Sequence, residues 1–169
     1  LFITTILCSI LFISYSRKNK NSIIDISLFA NKNFLLCCLL MMSYMLSLFG
    51  VISIQPMMLE NLMNYPIEYA GLLMAPRGIA SALTMAVVAK LIPSTNPKHL
   101  IFTSLIISFI SCNWMADFQL QTNELTMVYN GIIQGIGMGL FFVPVSMLAL
   151  AKLEKTQIGE ASGIFSLAR

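Results

Sequence analysis

Apolar residues run in long blocks along this chain, and polar residues collect in short stretches between them. A helix that crosses a bilayer needs about 20 predominantly apolar residues. The blocks 34–57, 69–92, 100–116 and 127–151 meet or approach that length, so each predicts a transmembrane helix. Two shorter apolar pieces flank them. Residues 1–15 read as the end of a further membrane helix, and 161–169 as the start of another. The first piece reads as a truncated membrane helix better than as a signal peptide: its Arg/Lys cluster follows it, and no A-x-A-like cleavage site closes it. The chain begins at Leu1 inside one apolar run and stops at Arg169 inside another, which reads as a fragment of a longer protein or of a broken reading frame. The pattern predicts an all-α polytopic membrane protein, with no repeat of the solenoid kind.

Loop charge adds orientation. The loop 16–33 holds Arg17, Lys18, Lys20 and Lys32 against Asp25, the third loop holds Lys98 and His99 with Lys90 just before it, and the last holds Lys152 and Lys155. The second loop carries Glu60 and Glu68, the fourth Asp117 and Glu124, and neither has a base. Basic and base-free loops alternate without exception, so the odd loops are predicted to be cytoplasmic. Composition agrees with the membrane reading, since 57% of residues are apolar and only 10% are charged, where soluble proteins carry about 25%. The bases lie between helices rather than in a nucleic-acid-binding patch, so no nucleic acid is expected as a partner.

No enzyme chemistry is legible. The four cysteines lie in apolar stretches without metal or disulfide spacing. The single histidine has no ligand partner at metal spacing, and no cofactor is expected. The Gly135–Gly139 run lies within a helix rather than between a strand and a helix, so it is no phosphate cradle.

The polar residues inside spans are the candidates for function. Arg77 lies about 12 Å of helix rise into the second span. A charge at that depth lines a cavity or pairs with a carboxylate, or else is structural, snorkelling outward or bonding carbonyls. Pro76 and Gly78 flank it and loosen the helix there. Gln134, Asn130 and Gln55 are further cavity candidates, each of which could equally bond a neighbouring helix. Gly131, Gly135 and Gly139 recur every four residues, forming one stripe along which another backbone can come close. Pro144 is expected to kink the helix beyond. The abundant methionines offer adaptable apolar surface.

Several stretches resemble the EmrB/QacA type of fourteen-helix drug:proton antiporter, a branch of the major facilitator superfamily. Ile23-Ile24-Asp25-Ile26-Ser27-Leu28-Phe29 with Asn33-Phe34 resembles the entry into that family's ninth helix. Ala70-Gly71-Leu72 followed by Pro76-Arg77-Gly78 is similar to the start of the tenth. Gln134-Gly135 through Pro144 resembles the twelfth, and Gly159-Glu160-Ala161 through Arg169 the entry into the thirteenth. The order and spacing of the four stretches match. The resemblance implies a partial major facilitator fold, with four full transmembrane helices and two partial ones, in a bacterial inner membrane.

It also implies export of small lipophilic or cationic substrates in exchange for protons, by alternating access. The lipid bilayer and the missing helices of the same transporter would be its surroundings, and a periplasmic adaptor and an outer-membrane channel its partners. Two departures stand out. In the gate loop, which includes Lys90, Lys98 keeps a basic position, but Asn96 stands where an acid is expected. Gly131 occupies the arginine position of a fourth-helix "R-x-x-Q-G" motif that Gln134-Gly135 echoes. The span interiors contain no carboxylate to carry the proton. The alternatives are a transport-inactive remnant, or the same fold exporting another small molecule.

Overall fold

The computed structural model describes residues 31–151, 153 and 158–169. The predicted pieces 1–15 and most of the loop 16–33 lie outside the described residues. The described elements are helical: α1 (Lys32–Asn61), α2 (Ile67–Leu91), a short 3-10 turn (Ile92–Ser94), α3 (Pro97–Ala116), α4 (Glu124–Leu150) and α5 (Ile158–Ala168). The first four are long and apolar enough to cross a membrane, the second of these spans including the 3-10 turn. An all-helical solution follows from the solvent. In hydrocarbon each backbone N–H and C=O must be paired within the chain, and a helix does this without a partner strand.

The helices run past the apolar blocks wherever polar residues can continue them. α1 extends from Phe34 back to Lys32 and from Met57 on to Asn61; α3 and α4 begin at Pro97 and Glu124 rather than at Leu100 and Met127. The end turns carry polar residues such as Lys32, Glu60, Asn61, Lys98 and Glu124, so hydropathy does not mark them. α1 continues through Pro56, α2 through Pro76 and α4 through Pro144, with no break in the helix at any of the three. Proline removes one backbone hydrogen bond and is tolerated in membrane helices because neighbours and local adjustments satisfy the freed carbonyl.

Local chemistry sets the turns. After α1, the amides of Leu62 and Met63 return to the Met58 carbonyl and that of Tyr65 to Leu59. Asn64 sits at φ 56, a left-handed conformation that asparagine adopts more readily than most residues. Pro66 then precedes α2, whose first turn carries Glu68 and last turn Lys90, each the favourable sign for its end of the helix dipole. Asn96 caps α3, its side chain accepting from the Lys98 amide at 3.2 Å, with Pro97 as first helical residue.

The described chain divides into two compact units, Tyr44–Met147 and a second formed by the residues up to Ser43 and from Leu148 onward. In the second unit, Asn33 donates to the Leu148 carbonyl at 2.6 Å, and Ala161, Ile164 and Phe165 of α5 are buried. In the first, α4 is the enclosed helix: half (50%) of its most apolar stretch is buried, against 11% for α2 and 11% for α3. The polar contacts between helices in this unit accordingly gather on α4 and on the elements that face it.

Candidate functional site

Arg77 is the hub of a polar layer within unit Tyr44–Met147. It lies ten residues into α2, about 15 Å of rise, which is half the thickness of a bilayer core of about 30 Å. Its Nη1 donates to Gln134 Oε1 on α4 at 2.9 Å and to Gln55 Oε1 on α1 at 3.2 Å. One guanidinium thus ties three helices together. Both glutamines are buried while the arginine is half-buried. A centred arginine costs about 3 kcal/mol on insertion scales, and two amide oxygens directed at one nitrogen offset part of that.

The arginine's partners are neutral amides, not the carboxylate that was one of its expected partners. Among the described residues the carboxylates lie at helix ends: Glu60 and Glu68 at the α1–α2 turn, Asp117 after α3, Glu124 at the first residue of α4, and Glu160 in the first turn of α5.

The glycine stripe is what brings α4 so close to α2. A methyl built on Gly135 would collide with the Arg77 carbonyl oxygen and lie 3.0 Å from Ala80 Cβ. One on Gly139 would lie 2.6 Å from Thr84 Cβ and 2.9 Å from the Ser81 carbonyl oxygen. At Gly131 the nearest atom is Arg77 Cβ, at an ordinary 3.6 Å. Close backbone approach needs the small residue, and it sets the Gln134 amide within reach of the guanidinium. Gly137 faces the other way, where a methyl would stand 2.7 Å from Ser108 Oγ on α3.

Asn130, grouped with Arg77 as a cavity candidate, belongs to a different contact. Its Nδ2 donates to the Ser111 carbonyl at 2.9 Å, and its Oδ1 accepts from Ser111 Oγ at 3.2 Å. Both ends of the buried amide are used on α3, away from the arginine. Pro76 is half-buried beside Arg77, Gly78 is exposed with open space around it, and Pro144 is fully buried. Lys90, Asn96 and Lys98 are exposed around the α2–α3 loop, where Asn96 serves as the helix cap.

Two clusters escaped the sequence reading. Tyr44 of α1 stacks on Phe141 of α4 at 3.9 Å between ring centroids, and its hydroxyl bonds Ser108 Oγ at 3.0 Å. At the other end, Tyr65 and Tyr69 both donate to the Glu124 carboxylate, at 2.9 and 2.7 Å. The Tyr65 phenol is held above its ordinary pKa first by that hydrogen bond, then by desolvation and by the charge of Glu124. The four-residue spacing of the two tyrosines was visible in sequence. Their carboxylate, more than fifty residues away, was not.

These features define apolar, membrane-length helices joined by polar contacts within unit Tyr44–Met147, the construction of a polytopic helical membrane protein. The chain belongs to the Major Facilitator Superfamily, whose family model matches residues 2–169. It is similar to the multidrug export protein EmrB of Haemophilus influenzae, at 25% identity over the whole of this chain and 33% of that protein. It is likewise similar to the multidrug export protein EmrB of Escherichia coli K12, at 28% identity over 93% of this chain and 31% of the relative. The fatty acid resistance protein FarB of Neisseria gonorrhoeae is 24% identical over 99% of this chain and 33% of its own length. The chain therefore spans about a third of the length of the curated relatives it matches. It is a multi-pass helical membrane protein of a transporter family, not an enzyme.

Proposed function

We propose that this chain forms part of a proton-coupled exporter of toxic amphiphilic compounds, working by alternating access in the cytoplasmic membrane of a bacterium. The observation that carries the reading is the Arg77 bridge, a mid-membrane charge held by amides from two other helices. Placing a charge there is costly and marks a pathway or a moving contact more often than simple packing. The glycine-lined approach of α2 to α4 beside it gives a surface on which helices can shift as a pair. The relatives' names, multidrug export, fatty acid resistance and colistin resistance, support the coarse substrate class.

Arg77, Gln55 and Gln134 are assigned to the substrate pathway. Gly131, Gly135 and Gly139, with Pro76, Gly78 and Pro144, are assigned to helix movement, and Lys90, Asn96 and Lys98 to the cytoplasmic gate loop. The proton-carrying acid is assigned to the part of the transporter that the relatives possess beyond this chain. In a double-membraned cell, a periplasmic adaptor and an outer-membrane channel would complete the route.

The test is an efflux assay on the intact transporter containing this chain, with Arg77→Ala made in it. Export of lipophilic acids, cationic dyes or both is expected to fall at least about ten-fold, the loss of charge-assisted hydrogen bonds worth roughly 1.5–3 kcal/mol. Unchanged export of every compound tested would rule out the assigned role.

A further inference from the structure

We propose that Glu124, Tyr65 and Tyr69 form a fixed joint at one end of unit Tyr44–Met147, about which α4 pivots against α2. This rests on the export reading above and specifies how its helices move. The two phenols come from different elements, Tyr65 from the α1–α2 turn and Tyr69 from the first turn of α2, and each takes a separate oxygen of one carboxylate. Hydrogen bonds to an ionised carboxylate are about twice as strong as neutral ones. Both sides of the joint are anchored. The Tyr65 amide returns to the Leu59 carbonyl, and its ring packs on the buried cluster of Leu59 from α1, Ala70 from α2 and Met127 from α4. Asn123 closes the first turn of α4, its Oδ1 accepting from the Leu125 amide at 3.0 Å and its carbonyl from Thr126 and Met127.

Farther along α4 the contact changes character. At Gly135 and Gly139 the carbonyl oxygens of Arg77 and Ser81 rest directly on α4 backbone. A glycine face presents no side-chain ridge to lock a register, and the approach is already at its limit, so movement opens it. Sliding α4 along α2 by one turn, about 5.4 Å, would break both phenol bonds. A swing about the joint keeps them. Displacement grows with distance from the pivot: Gln134 lies about 15 Å of rise from Glu124, and Met147 about 35 Å. A swing of about 10° moves the first by about 3 Å and the second by about 6 Å. The smaller displacement already takes Gln134 Oε1, now 2.9 Å from Arg77 Nη1, beyond hydrogen-bond reach. The Arg77–Gln134 bond is thus the contact that opens, and the Glu124 bonds are those that persist.

The test measures spin-label distances by pulsed electron paramagnetic resonance on the intact transporter in lipid nanodiscs, in a background free of other cysteines. One pair, Leu62→Cys with Leu125→Cys, straddles the joint. The other, Leu91→Cys with Met147→Cys, spans the far ends of α2 and α4, and all four side chains are exposed. Distances are recorded at acidic and at neutral pH, with and without ethidium. The far pair is expected to shift by at least about 4 Å between conditions while the joint pair stays within about 2 Å, as a lever of this length requires. Tyr65→Phe combined with Tyr69→Phe keeps both rings and removes both donors, and the joint pair should then broaden or shift as the far pair does. The proposal is overturned if the joint pair of the otherwise unaltered protein moves as far as the far pair, if neither pair moves, or if the double phenylalanine variant leaves the joint pair unchanged.

Should the double variant fail to assemble, Glu124→Gln decides, since it removes the charge and one of the two acceptor oxygens: an unchanged joint-pair distribution in that variant overturns the joint. The distances need no proton gradient. A pivot without proton-driven dye efflux would count against the export reading alone. Efflux with the joint pair moving would count against this joint alone.

Discussion

At the scale of single residues, polar side chains inside the unit act through what they reach. Tyr65 lies in the α1–α2 turn and donates to Glu124. Its pKa is raised above the ordinary 10.0, so the protonated, bonded phenol is favoured in the fold. A raised folded pKa means the stabilisation is fully present below pH 10.0 and is lost as pH climbs through the higher folded value. A tyrosinate absorbance titration, differenced against Tyr65→Phe, should therefore show this phenol ionising late. Glu124→Gln should move its midpoint down toward the ordinary value, and no movement would contradict the assigned bond. Asn130 offers a second check. Asn130→Ala removes the amide that donates to the Ser111 carbonyl and leaves the Ser111 hydroxyl only the backbone carbonyl of residue 130, at 3.4 Å, and a membrane interhelical hydrogen bond is worth about 0.6 kcal/mol, at most about 1.7. Denaturant titration in mixed micelles should find a loss in that range. The sequence singled out Arg77, Gln55, Gln134 and Asn130 because polar groups are conspicuous in apolar blocks. It did not separate Asn130 from the other three, because the direction of a side chain depends on which helix lies beside it.

At the scale of helices, close approach is set by which glycines meet backbone. Gly135→Ala would drive a methyl into the Arg77 carbonyl, and backbone cannot swing aside as a side chain can. The α2–α4 contact must open, at a cost of about 1–3 kcal/mol for overpacking. Gly131→Ala meets only ordinary contact at 3.6 Å and should be neutral, or stabilise by up to about 1 kcal/mol through helix propensity. Unfolding midpoints of the two variants should separate accordingly; equal shifts would contradict the packing described. The stripe itself was legible as a four-residue recurrence. Which of its three glycines is critical was not, because a recurrence carries no information about what lies opposite. The spans were legible for the opposite reason. Lipid selects for apolar length regardless of packing, so α1 to α4 stand out one at a time, while their polar end turns do not.

At the scale of the whole molecule, loop charge predicts the sidedness of the protein in its membrane. In a background with its four native cysteines replaced by serine, Ser94→Cys in the α2–α3 loop should react with a membrane-impermeant maleimide from the cytoplasmic face only. Gln121→Cys in the α3–α4 loop should react from the opposite face only. Labelling of both from one side would overturn the orientation. The sequence alone determined the membrane, the four spans and the alternation of loop charge, because hydrocarbon and membrane charge asymmetry act on each segment separately. The tertiary structure decided the partners: the amides on Arg77, the phenols on Glu124, the serine on Asn130 and the contacts that need a glycine. Those depend on residues far apart in the chain that meet only when the helices pack, and in so apolar a sequence no segment advertises which face it will turn inward.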